Sequence, residues 1–114
     1  KRDEVSSALK QERAADEMKV VDKLMVEISK AGPAVYGIKE VLSANDAGAI
    51  SVLMITDAFI ISSRESGQYD KIEETLRSVD AMGGTIHIIS SDHEGGQKLD
   101  GIGGIGAILR YSLS

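Results

Sequence analysis

The sequence contains no cysteine, which excludes a disulfide-stapled scaffold, a thiolate zinc site and a cysteine nucleophile. That absence is compatible with a reducing compartment, and a cytoplasmic location is expected. Aromatic residues are scarce: Tyr36, Phe59, Tyr69 and Tyr111 are all there are. Four rings leave little from which to build a base-stacking platform. No apolar run approaches the roughly 20 residues that span a bilayer, and the N-terminal KRDEVSSALK lacks the apolar stretch of a signal peptide. A soluble protein without a membrane partner is expected.

What is present fits one domain. The chain has 114 residues, of which 42% are hydrophobic and 27% charged, near the globular average, so a single core is expected and disorder is not. Residues 1 to 30 carry 7 Lys and Arg against 7 Asp and Glu, leaving 6 against 11 for the rest. The acidity therefore belongs to the globular part, and it opposes broad, non-specific binding to phosphate backbones. The chain starts at Lys1 within a charged amphipathic pattern, as expected for a fragment of a longer polypeptide.

Hydrophobic spacing predicts the elements. From Asp3 to about Lys30, apolar residues recur every three or four positions at Val5, Leu9, Ala15, Met18, Val21, Met25 and Ile28, with a gap at Glu12. This is a long amphipathic helix, closed by Ala31-Gly32-Pro33; residues 1–32 form the leading segment of the domain. Ala34-Val35-Tyr36 reads as a very short strand. Gly37 opens a second helix bearing Ile38, Val41, Leu42 and Ala44, and Ile50 to Ile55 reads as a strand covered on both faces. Asp70 and Glu73 suggest an N-cap pair for a helix with Ile72, Leu76 and Val79 on one face. Thr85 to Ile89 reads as a further buried strand, Ser91 and Glu94 as a capping box for a short helix through Leu99, and Ile105 to Tyr111 as the last strand. The order α β α β α β α β predicts a small, mostly parallel or mixed sheet between helix layers.

Several motifs invite chemistry and are weighed against plainer readings. Gly101, Gly103 and Gly106 satisfy G-x-G-x-x-G, yet a short helix precedes them and a strand follows, the reverse of a dinucleotide site. A loop whose glycines, Gly104 included, permit positive φ and close packing is the better reading. His87 and His93 have no spaced metal partner; Asp92, His93 and Glu94 are candidate acid–base groups but equally cap-type residues at a helix start. Thr56 and Asp57 lie at a strand's C-terminal end, where ligands bind in α/β sheets, or form a plain strand-to-helix turn. Arg64 to Tyr69 reads as an exposed flexible loop.

The segments AVYGIKEVLSANDAGAISVLMITD and GGTIHIISSDHEGGQKLDGIGGIGAILRY resemble the C-terminal domain of the Pelota family, translation-surveillance relatives of class 1 peptide-chain release factors. The resemblance extends over Lys1 to Ser114. It implies an α/β/α sandwich with a small mixed sheet, related to the ribosomal kink-turn-binding fold, and a place as the third domain of a longer three-domain protein. It further implies a ribosome-rescue role. The partners would be a GTPase resembling elongation factor 1-alpha, the stalled ribosome and an ABC-type recycling ATPase, with ribosome dissociation and no-go or non-stop mRNA decay as the outcome.

Within that family a divalent-metal-dependent endoribonuclease activity is attributed to the N-terminal domain, so no cofactor, metal site or catalytic residue is expected here. The release-factor Gly-Gly-Gln motif belongs to a middle domain, and the local Gly95-Gly96-Gln97 is a coincidence. A monomeric protein-docking module is expected. Phe59, Ile60, Ile61 and Arg64 are the candidate partner surface, the three apolar residues being equally readable as core. The fold relation also implies an RNA-binding alternative. Kink-turn binders begin a helix with G-x-N-E-x-x-K; here Gly37 and Glu40 match, but Lys39 replaces the asparagine and Ser43 the lysine, which compromises base readout. A metal-dependent nuclease built on Asp92, His93 and Glu94 is a third reading.

Overall fold

The computed structural model of the chain describes residues 2–111, with the backbone alone for residues 2–13. Val5 and Leu9 of the predicted stripe therefore lie outside the described side chains. Helix α1 (Arg2–Ser29) leads to strand β1 (Ala34–Tyr36), α2 (Ile38–Asp46) and β2 (Ile50–Thr56). Then follow α3 (Asp57–Glu65), α4 (Tyr69–Ala81), β3 (Thr85–Ile89), α5 (Glu94–Asp100) and β4 (Ile105–Leu109).

The four strands form one mixed sheet in the order β1-β4-β2-β3. β2 and β3 run parallel, while β4 is antiparallel to both β1 and β2. The architecture is a three-layer α/β/α sandwich. On one face Val41 and Ala44 of α2 and Ile72 and Val79 of α4 pack against Leu53, Ile55, Ile105 and Ala107. On the other, Val21 and Leu24 of α1 and Leu99 of α5 enclose Met54 and Ile89. A register shift between Ile50 and Val52 lets Ile50 and Leu53 serve the same face although three residues apart. Strict alternation would have put them on opposite faces.

The structure corrects the element list in four places. The predicted order omits α3: Thr56 ends β2 and is also the N-cap of α3, so strand runs into helix with no intervening turn signal, and Phe59-Ile60-Ile61 continues the apolar run. Arg64 and Glu65 consequently belong to α3 and Tyr69 to α4, which reduces the expected Arg64-to-Tyr69 loop to Ser66–Gln68. β3 is an edge strand rather than a buried one, with Thr85 and Ile88 exposed. On α1, Leu24 is buried and Ala15 exposed, so the helix presents a slightly rotated face.

The predicted caps also move. α4 begins one residue earlier than Asp70, with Gln68 in the cap position and no side-chain cap bond. At α5 the cap is His93, not Ser91, whose buried hydroxyl has no hydrogen-bond partner.

Helix ends follow one pattern with one exception. In α2 to α5 the chain leaves the last turn through a glycine of positive φ, and the next amide bonds back to the carbonyl five residues earlier, as in Gly84 N–H to Val79 O. α1 ends the same way, with Gly32 N–H donating to Glu27 O at 2.7 Å. Its left-handed residue is Ala31 (φ 56°), not the expected Gly32. A Cβ in that region is strained by about 1 kcal/mol. Ala31→Gly should therefore stabilise the chain by about 0.5–1 kcal/mol, raising the midpoint of urea unfolding at unchanged slope.

Candidate functional site

A network of long-range polar contacts lies at the C-terminal ends of β2 and β3. Thr56 is fully buried; its hydroxyl donates to Asp100 Oδ1 at 2.6 Å and accepts from Phe59 N at 3.0 Å, and its amide donates to Gly104 O at 2.9 Å. One side chain thus caps α3 and ties down the end of α5. Next to it, Asp57 Oδ1 accepts from Ala58 N (2.8 Å) and Ser91 N (2.9 Å). Of the two readings of Thr56 and Asp57, this is the strand-to-helix turn, built as a hydrogen-bonded brace.

The Ser91 amide holds the Asp57 carboxyl below its ordinary value of 3.8, opposed by partial burial and helped by the Ala58 amide. A carboxylate whose pKa is depressed on folding stabilises the fold above its unfolded pKa and loses that contribution as pH falls through the folded value. Stability is thus expected to be insensitive to Asp57 above about pH 5 and to decline below about pH 4. Thermal melts across that range should show a shallower acid decline in Asp57→Asn than in the parent chain.

A second brace crosses to α1. Glu17 Oε1 accepts from Ser90 N (2.8 Å) and from His93 Nε2 (2.7 Å), while His93 Nδ1 accepts from Gly95 N (3.1 Å) and Gly96 N (3.4 Å). Lys98 lies 3.5 Å from Asp22 and 3.8 Å from Glu94. Glu17 escaped the sequence reading because 76 positions separate it from His93 and a glutamate on a long charged helix carries no signal of a tertiary partner. The close approach of α5 needs its glycines: a Cβ on Gly95 would meet Met18 Cα at 3.1 Å. Gly95-Gly96-Gln97 is thereby explained as packing at a helix start.

The proposed partner surface divides. Phe59 and Ile60 are half-buried and pack on the core beside α2 and α4, and Phe59 lies against Gly104, which is the core side of the two readings open to them. Ile61 is 55% exposed. It shares a face of α3 with Arg64 at i,i+3, and the Arg64 guanidinium lies 4.6 Å from the centre of the Tyr69 ring. A shallow acidic depression lined by Asp70, Glu73, Glu74 and Arg77 lies on the neighbouring α4.

The RNA-type residues and the glycine loop, far apart in sequence, meet. Gly37 (φ 84°) precedes α2 and donates its amide to Ile105 O, and a Cβ on Gly103 would stand 3.3 Å from Gly37 Cα. Lys39 and Glu40 are exposed beside it. Within the loop, Gly103 and Gly104 take positive φ, whereas Gly101 is helical (φ −63°) and Gly106 lies in β4 against Leu24.

A metal does not fit at Asp92, His93 and Glu94. Both ring nitrogens of His93 are already engaged, and among the described residues no three His, Asp or Glu side chains gather as a metal site. Among those residues, too, no helix is long and apolar enough to cross a membrane.

The family model for eRF1 domain 3 matches residues 14–113. A protein pelota homolog from Methanococcus maripaludis is 40% identical over 89% of this chain and 28% of its own length. One from Pyrococcus horikoshii is 34% identical over 99% and 31%. The chain therefore spans about three tenths of the curated relatives it matches.

Among solved structures, Archaeoglobus fulgidus Pelota superposes with a TM-score of 0.88 at 34% identity, covering 96% of this chain and 34% of that one. S. cerevisiae Dom34, described as a translation termination-like factor involved in RNA quality control pathways and interacting with Hbs1, gives 0.83 at 34%, covering 95% and 30%. Archaeal Pelota in a ribosome-bound model with ABCE1 gives 0.81 at 33%, covering 100% and 31%. The family-model match and these relatives place the chain in the eRF1 domain 3 family, on its Pelota branch.

Proposed function

We propose that this chain is the protein-docking domain of a ribosome-rescue factor. It works with a GTPase resembling elongation factor 1-alpha and an ABC-type ATPase on stalled ribosomes, and so serves ribosome dissociation and no-go or non-stop mRNA surveillance. The likeness over the full chain to archaeal Pelota described as ribosome-bound with ABCE1 carries this reading. Dom34, described as interacting with Hbs1, supports a protein partner.

The chain acts as a monomer in the cytoplasm, by surface contact and without a cofactor of its own; any divalent cation serves other parts of a longer protein. Ile61 and Arg64 form the centre of the docking face. An exposed apolar side chain beside a stacked guanidinium has the composition of an interface hot spot.

Calorimetric titration of the 114-residue chain with the GTP-bound GTPase, and in parallel with a kink-turn RNA, tests this. Binding to the GTPase but not to the RNA is expected, and Ile61→Asp should weaken it about tenfold or more. One observation favours a second reading: Gly37, just ahead of the exposed Lys39 and Glu40, lies against Gly103 of the glycine loop. RNA binding lost on substituting Lys39 and Glu40, with no GTPase binding, would overturn the docking assignment.

A further inference from the structure

The imidazole of His93 serves two elements at once, and each determines the state of one ring nitrogen. Nδ1 faces the amides of Gly95 and Gly96, which can only donate, so it carries no hydrogen. Nε2 lies 2.7 Å from Glu17 Oε1, which can only accept as a carboxylate, so it carries one. The neutral Nε2–H tautomer alone satisfies both neighbours. A second proton can enter only at Nδ1, where it would confront two N–H donors.

The Glu17 carboxylate from α1 faces Nε2, and the amides of the first turn of α5 face Nδ1. The other charged groups nearby are Asp92 in the preceding turn, Glu94 and Lys98 on α5, Asp22 on α1 and Asp57 on α3, whose carboxylate holds Ser91 N. His87 stands on the same face of β3 as the buried Ile89. Of these, Lys98 is shared between Asp22 and Glu94. The His93 side chain is 20% exposed, enough for solvent protons to reach it.

We propose that His93 is a proton-operated switch on the start of α5. When the ring is neutral, it caps α5 and clasps Glu17. When a solvent proton adds to Nδ1, the two N–H···N bonds to Gly95 and Gly96 break, while the ion pair to Glu17 strengthens and keeps α1 in place. The first turn of α5 then loosens without the domain unfolding. The last turn stays held by the Thr56–Asp100 bond and by Leu99 in the core, so the change is confined to the start of α5.

Heteronuclear NMR of the 114-residue chain, followed between about pH 8 and pH 5, where imidazoles change charge, tests this. Ring correlations are expected to report the Nε2–H tautomer at the upper end. As the ring protonates, protection of the Gly95 and Gly96 amides, corrected for intrinsic exchange, should fall about fivefold, as for loss of an N-cap, while the Val21 and Leu24 amides keep theirs. In His93→Asn, which retains a cap acceptor and does not titrate, protection of Gly95 and Gly96 should not depend on pH. An Nδ1–H tautomer, unchanged protection while the ring titrates, or the same pH dependence in His93→Asn would each overturn the switch.

Discussion

Replacing Gly96 with alanine is expected to destabilise the chain by about 3 kcal/mol or more. The added Cβ would penetrate the Ser90 carbonyl group and crowd Ser91 Cα. These are backbone atoms, so no rotamer change relieves the overlap. Relief requires either the end of β3 or the whole of α5 to move. Moving α5 separates Leu99 from Met54 and Ile89, with which it shares a core cluster, and breaks the bonds from His93 and Thr56 that locate its two ends.

Against a total stability of about 5–15 kcal/mol for a domain of this kind, such a loss should be plain in urea unfolding as a lowered midpoint. Gln97→Ala is the control. Gln97 is exposed, and its replacement should change stability by no more than about 0.5 kcal/mol. That contrast would establish that Gly96 answers to packing.

The second large effect is a coupling between α1 and the sheet. Leu24 is fully buried, and Leu24→Ala should destabilise by about 3 kcal/mol through lost transfer energy and the cavity left behind. Its Cδ2 lies where a Cβ on Gly106 would come within 2.6 Å. Gly106→Ala alone should therefore destabilise by about 1–2 kcal/mol through overpacking. In the double variant the new methyl group enters space that Leu24 vacated. The combined loss should fall short of the sum by about 1–2 kcal/mol, well outside ordinary additivity error. Additive losses in a double-mutant cycle would show that α1 does not seat on β4 as described.

These two expectations bear on different levels of legibility. Helices α1, α2, α4 and α5 were readable because each carries its own periodicity and a glycine near its exit, and the four strands because each is a short run of strand-forming residues. α3 was not, because Thr56 is at once the last residue of β2 and the cap of the next helix. A residue doing both jobs leaves no gap for a turn signal, and the apolar Phe59-Ile60 that follows packs inward just as a strand residue would. The edge position of β3 was hidden for a related reason. TIHII has strand-core composition, but a strand's composition does not say whether a neighbour covers its second side.

The candidate site divides along the same line. Asp92-His93-Glu94 was legible as cap-type residues at a helix start, but the cap itself was read as Ser91, and the tautomer of His93 was not legible, because that depends on Glu17 reaching it from α1. Likewise Ile61 and Phe59 look alike in sequence, and only the position of Gly104 beneath Phe59 separates an exposed contact residue from a core one.

What the amino-acid order determined by itself was local: where the backbone can turn left-handed, which faces are apolar, which residues can cap, and the family to which those patterns belong. What tertiary structure alone decided was pairwise and long-range. Examples are the clasp between Glu17 and His93, the meeting of Gly37 with Gly103, and the split of the apolar run after Thr56 into core and surface. The physical reason is that hydrogen-bond capacity and hydrophobicity are properties of one residue. Burial and charge state are properties of its neighbours, and those are assigned only when distant segments pack.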